Sequence, residues 1–190
     1  MSFRVLSIAI LAFTIVSCKK NHADTPNSVG NERYFSIVQF AEDQWATFHG
    51  QPFSLTKIVS ENGKVDSSYL SALQMDWGTE VFKVFFATDI SDKKYFGHYN
   101  FSSFDENTNQ THVYAYEAKD EDLFTRKLWI TIDPYNNRIL SIYIETRKDV
   151  DAKQEVQKLY YKPKKLIQIQ EFENSSTGLK MEKEIKFRFF

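Results

Sequence analysis

Seven β-prone segments follow one another along the C-terminal half of this chain, joined by links too short to hold a crossover helix. They are Tyr95–Phe101, His112–Ala118, Leu123–Ile132, Arg138–Thr146, Gln157–Tyr161, Leu166–Phe172 and Met181–Phe189. The links carry turn chemistry: Lys119-Asp120-Glu121-Asp122, Asp133-Pro134-Tyr135-Asn136-Asn137 and Asn174-Ser175-Ser176-Thr177-Gly178. A parallel neighbour needs a crossover of a dozen or so residues, so these short links favour antiparallel neighbours in a meander. The last segment alternates. Met181, Ile185, Phe187 and Phe189 point one way with Lys183 as the exception, and Glu182, Glu184, Lys186 and Arg188 point the other. One apolar and one wet face predict a sheet covered on one side only.

The N-terminal half supplies candidate covers. Tyr34, Val38, Ala41, Trp45 and Phe48 recur at helical spacing, and Gly50 and Pro52 follow as a stop signal. Asp76–Ile90 reads either way. Asp76 suits an N-cap, Glu80 suits a first turn, and Trp77, Val81, Val84, Phe85 and Thr88 share one helical side, yet Val81 to Phe86 has strand composition. A short, mostly buried helix is the expectation. Between these two lies a hairpin, Phe53–Ser60 and Lys64–Ser71 around Asn62-Gly63, a pair suited to a type I′ turn. That register sets Leu55 opposite Leu70 and Glu61 opposite Lys64. The predicted fold is therefore α+β, with two N-terminal helices and a β-hairpin packed on a largely antiparallel β-meander sheet.

Ahead of the domain, Val5–Val16 is an apolar run that begins after Arg4 and closes on Ser17-Cys18. It falls short of the ~20 residues that a membrane-spanning helix needs and has the proportions of a secretory signal. Cys18 is the only cysteine. Ile15-Val16-Ser17-Cys18 resembles the lipobox of bacterial lipoproteins of the Gram-negative envelope, with Ile15 where Leu is usual. The resemblance implies cleavage of 1–17 as a signal peptide and acylation (palmitate among the chains) of Cys18. It covers the N-terminus alone, and no family is recognised for the domain. Residues 18–33 read as the lipidated cysteine and a polar, flexible tether, and 34–190 as one domain. The expected location is the cell envelope, lipid-anchored, at the outer membrane. After cleavage the folded domain would hold neither a thiol nor a disulfide, so an exported chain would depend on its core alone.

Function is less legible. A net charge of −1 with mixed signs leaves no electrostatic footprint for nucleic acid. The 17 Phe, 10 Tyr and 3 Trp suit an aromatic core first and an aromatic binding face second. His22, His49, His98 and His112 show no ligand spacing, although His98 and His112 can meet across neighbouring strands. The acidic run Glu117, Asp120, Glu121, Asp122 lacks the glycine and terminal glutamate of a calcium loop and reads as a solvated turn. No G-x-S-x-G and no phosphate loop occurs. Glu117 and Glu145 qualify as paired carboxylates, with nothing in the sequence to bring them together. The C-terminal Ile185–Phe190 resembles the closing strand of an outer-membrane barrel. Its glycine is missing, however, and Lys158, Gln168 and Gln170 do not suit an outward apolar band. No cofactor, metal or catalytic residue is expected, and the balance leans away from an enzyme. The leading expectation is a membrane-anchored binding or accessory module, held to the membrane by acyl chains and engaging a protein or glycan. The alternatives are a carrier for a lipid or other apolar ligand and a hydrolase using paired carboxylates.

Overall fold

The computed structural model describes residues 34–48, 54–71, 75–150, 153–175 and 178–190, with Gln51 and Leu73. Cys18, the signal segment, the tether, His22 and His49 lie outside the described residues.

Nine strands form one sheet. They are β1 (Ser54–Glu61), β2 (Lys64–Ser71), β3 (Tyr99–Glu106), β4 (Thr111–Ala118), β5 (Thr125–Ile132), β6 (Ile139–Val150), β7 (Lys153–Lys162), β8 (Leu166–Ser175) and β9 (Gly178–Phe189). The order is β2-β1-β9-β8-β7-β6-β5-β4-β3, and every pair is antiparallel. The expected seven-strand meander is present as β3 to β9. The hairpin has the register read from Asn62-Gly63: Leu55 faces Leu70 and Glu61 faces Lys64, with φ of 52° and 75° in the turn.

The hairpin does not pack on the sheet, as expected from sequence, but belongs to it. β1 pairs with β9 from Leu55↔Phe189 to Glu61↔Lys183, so the hydrogen-bonding edge that β9 would otherwise expose is filled by chain from the other end of the domain. β2 and β3 are the two edges, and the connection from Ser71 to Tyr99 therefore runs from one edge to the other across a face.

That face is covered by helices. α1 (Ile37–Phe48) is capped at its start from near and far in sequence. Gln39 N–H donates to Ser36 Oγ, and Val38 N–H donates to Asp89 Oδ2 at 2.7 Å, which also takes the Ser36 hydroxyl. The cap sets the helix rotation. Ile37 and Ala41 are buried, Phe40 meets the ring of Tyr161 edge-on, and Tyr161 Oη donates to Gln44 Oε1. Tyr34 precedes the helix and packs edge-on against Phe96, Tyr99 and Tyr116. The second helical segment is a π-helical turn, Gly78–Phe82, continuing as α2 (Lys83–Phe86). A π turn brings i and i+5 together, so Phe82 lies over Trp77, with stacked rings 6.0 Å apart, and is buried with Val81 and Phe85. The α-helical spacing read from sequence favoured Val84, which is only half-buried. The N-cap position is Trp77 rather than Asp76. Tyr95, expected to begin a strand, instead closes a 3₁₀ turn, Lys93–Tyr95, whose N-cap Asp92 carboxylate accepts from Lys94 N–H.

The core lies between this helical layer and alternate residues of the strands: Leu128 and Ile130 on β5, Ile142 and Ile144 on β6, Leu159 and Tyr161 on β7, Ile167 and Ile169 on β8, and Phe187 on β9. Trp77 sits at its centre, 1% exposed and stacked on Phe189. Met181 is a correction. Register shifts where Glu171 pairs with Lys183 but Phe172 pairs with Met181, leaving Glu182 as an extra bulge residue. The bulge reverses the alternation, so Met181 falls on the outer face, 47% exposed. Lys183 stays on the helix side, where its ammonium lies 3.7 Å from Glu61.

Candidate functional site

The outer face of the sheet has a different composition. Two cross-strand rows run over its middle, fixed by register. The first is Ala115–Trp129–Tyr143–Tyr160. The second, about 7 Å away along the strands, is Glu117–Lys127–Glu145–Lys158–Gln170–Glu184, in which charge alternates from β4 to β7. Opposite charges facing one another across antiparallel neighbours favour this register.

Beyond this ladder the strand ends form a groove of about 460 Å³. Its charged lining is Glu117, Arg126, Lys127, Glu145, Arg147 and Lys158, with Val156 and Leu179 supplying apolar wall. Arg126 reaches the lining because a bulge between Thr125 and Lys127 turns it outward, and its Nη1 donates to the Asp120 backbone oxygen. Lys158 holds its ammonium 5.2 Å above the Phe172 ring. Tyr143 Oη donates to Glu145 Oε2, and burial, with the Glu145 charge beside it, pushes the Tyr143 phenol up to about 12. Arg147 Nε is buried and has no hydrogen-bond partner. The nearest carboxylate oxygen, Asp149 Oδ1, is 3.9 Å away and already accepts from Gln154 Nε2.

Farther along the same face Glu184 accepts from Gln168, Gln170 and Lys186. Burial works against its charge, but these three donors and the Lys186 ammonium outweigh that and lower its carboxyl below the ordinary glutamate range.

The residues singled out in the sequence divide. Glu117 and Glu145 are brought into the same groove, two strands apart with Lys127 between them. His98 and His112 do not meet: His98 Nδ1 lies 2.7 Å from Asp120, whereas His112 Nδ1 lies 2.6 Å from Asp105 at the far end of the β3–β4 pair. Among the described residues no three His, Cys, Asp or Glu side chains are placed to hold a metal ion. Asp120 of the acidic run serves His98 and Arg126 in the β4–β5 turn. Sequence reading missed Arg126, Arg147 and Lys158 as neighbours. The alternation of Glu117, Glu145, Lys127 and Lys158 was available as a signal, but only with the strand register in hand. No helix among the described residues is long and apolar enough to cross a membrane.

Comparison with protein-family models, with curated proteins and with solved structures finds no match in any of the three.

Proposed function

We propose that this protein is an envelope lipoprotein, acylated at Cys18 and held at the outer membrane. Its domain acts there as a non-catalytic binding module, with the outer-face groove as the surface that engages its partner. The observation that carries the reading is the contrast between two sides of one sheet. The helix side is filled by Trp77, Tyr161, Phe187 and their neighbours, whereas the groove collects charged side chains that the core does not use. A carrier for an apolar ligand needs open apolar volume, whereas the buried apolar side chains on the helix side of the sheet form one contiguous cluster. A hydrolase needs one carboxyl in apolar surroundings to act as general acid. Glu117 and Glu145 stand instead among Lys127, Lys158, Arg126 and Arg147.

Two measurements test the reading. A clickable fatty acid should label the wild-type protein in cells, and Cys18→Ala should abolish both the label and membrane retention. A photo-cross-linker placed at Leu179 in the groove, together with a glycan array probed with the acylated protein in micelles, should reveal a partner. A cross-linker at Tyr135, in the exposed β5–β6 turn, should not. Label that survives Cys18→Ala ends the anchor, and silence at Leu179 and on the array ends the binding module.

A further inference from the structure

We propose that the groove binds an anionic glycan, with the acid group of a sugar seated between Arg147, Arg126 and Lys158. This deepens the binding-module reading and rests on it.

Charge is the first argument. The whole chain is slightly acidic, yet the groove holds Arg126, Lys127, Arg147 and Lys158 against Glu117 and Glu145. Register places the two carboxylates on either side of Lys127, with Glu145 also facing Lys158. Four cations thus line the groove against two carboxylates.

Donor capacity is the second. Arg126 spends Nη1 on a backbone carbonyl, not on a carboxylate. Arg147 keeps a buried Nε without a hydrogen bond, 3.9 Å from Asp149 Oδ1. An oxyanion entering the groove meets the half-buried Arg147 side chain, whose terminal guanidinium nitrogens can make charge-assisted hydrogen bonds.

The glycan assignment comes from what lies beside the cations. Glu117 and Glu145 offer acceptors that suit sugar hydroxyls. The adjoining row carries Trp129, half-exposed, and Tyr143, their rings 6.1 Å apart, on which a sugar face can rest.

The test uses the acylated full chain in detergent micelles. Calorimetric titrations are run with tetragalacturonate, neutral cellotetraose and tetraglutamate, alongside exchange-protection mapping of β5 to β7. Tetragalacturonate should bind, protect Arg126–Lys127 and Arg147, and weaken as salt is raised from about 0.05 to 0.5 M. Arg147→Ala and Lys158→Glu should each lower its affinity by about tenfold or more. Arg147→Lys, which keeps the fold's charge but not the planar donor set, should also weaken binding, while Lys93→Glu on the exposed 3₁₀ turn should leave it unchanged. Preference for tetraglutamate overturns the glycan assignment. Equal binding of cellotetraose and tetragalacturonate, with the groove still protected, overturns the anionic assignment and leaves the binding module standing. Binding of any of the three without protection in the groove, or absence of binding by all three, overturns the proposal, and the former removes the groove as the module's site as well.

Discussion

The two faces of this sheet are made by the same nine strands and are held in different ways. On the helix side, side chains from consecutive strands interdigitate with Trp77, Phe82 and Phe85 and leave water behind. On the outer side, Glu117, Lys127, Glu145 and Lys158 lie opposite one another in cross-strand register at a wet surface. Burial contributes about 25 cal/mol for each Å² of apolar area removed from water, whereas an exposed ion pair contributes about 0–1 kcal/mol. Stability should thus come from one face, and the other is free to vary in the service of recognition.

The comparison breaks first at Trp77. Trp77→Ala should cost about 3–5 kcal/mol, read by urea unfolding, because its neighbours Phe82 and Phe189 cannot collapse into the space of an indole. A cost below ~1 kcal/mol would mean that the helical layer does not anchor the sheet.

Alkaline pH is the second route. Burial, partly offset by a hydrogen bond with the Phe35 backbone, pushes the Tyr116 phenol up to about 12, and burial raises Tyr99 and Tyr161 as well. Unfolded tyrosine ionises near 10, so above that pH the unfolded chain releases a proton that the folded chain keeps. Stability is full below about pH 10 and should fall as pH rises toward 12, by on the order of 2 kcal/mol from Tyr116 alone. Phenolate absorbance at about 295 nm, followed with unfolding, should show these phenols titrating only as the fold is lost.

Asp89→Ala comes next. It removes the acceptor for Val38 N–H, the Ser36 hydroxyl and Ser91 N–H, and should cost about 1–3 kcal/mol, with exchange protection lost first in α1. On the outer face Lys127→Glu sets like charges against Glu117 and Glu145 and should cost about 1 kcal/mol, a loss that 0.5 M salt partly restores. The smallest effect sharpens the bulge. Met181→Lys should change stability by less than about 0.5 kcal/mol, because the side chain points to water. A large loss would return Met181 to the core and remove the bulge.

Much of the fold was legible. Turn chemistry placed the strands, and Asn62-Gly63 set a hairpin register down to individual pairs, since both residues accept the positive φ that the turn demands. The anchor reading rests on residues near Cys18, where short-range pattern is the whole signal. The departures share a different origin. Phe82 rather than Val84 is buried because a π turn rotates the helix by one residue, and Ile37 rather than Val38 is buried because Asp89, far along the chain, caps α1. The candidate groove was harder still. Glu117 and Glu145 stood out, but their cations come from β5, β6 and β7, and the sequence carries no local mark that Arg126 and Arg147 face the same space.

Local chemistry thus determined the identity and order of the elements, the meander, the hairpin register and the expected address at the membrane, because turn geometry and side-chain alternation act over a few residues. Tertiary structure alone decided that β1 completes the edge of β9, that a bulge turns Met181 outward, and that the charges of four strands converge on one groove. Each of those depends on which backbones pair and in which register, and that is set by the summed packing of the whole sheet against Trp77 and its neighbours.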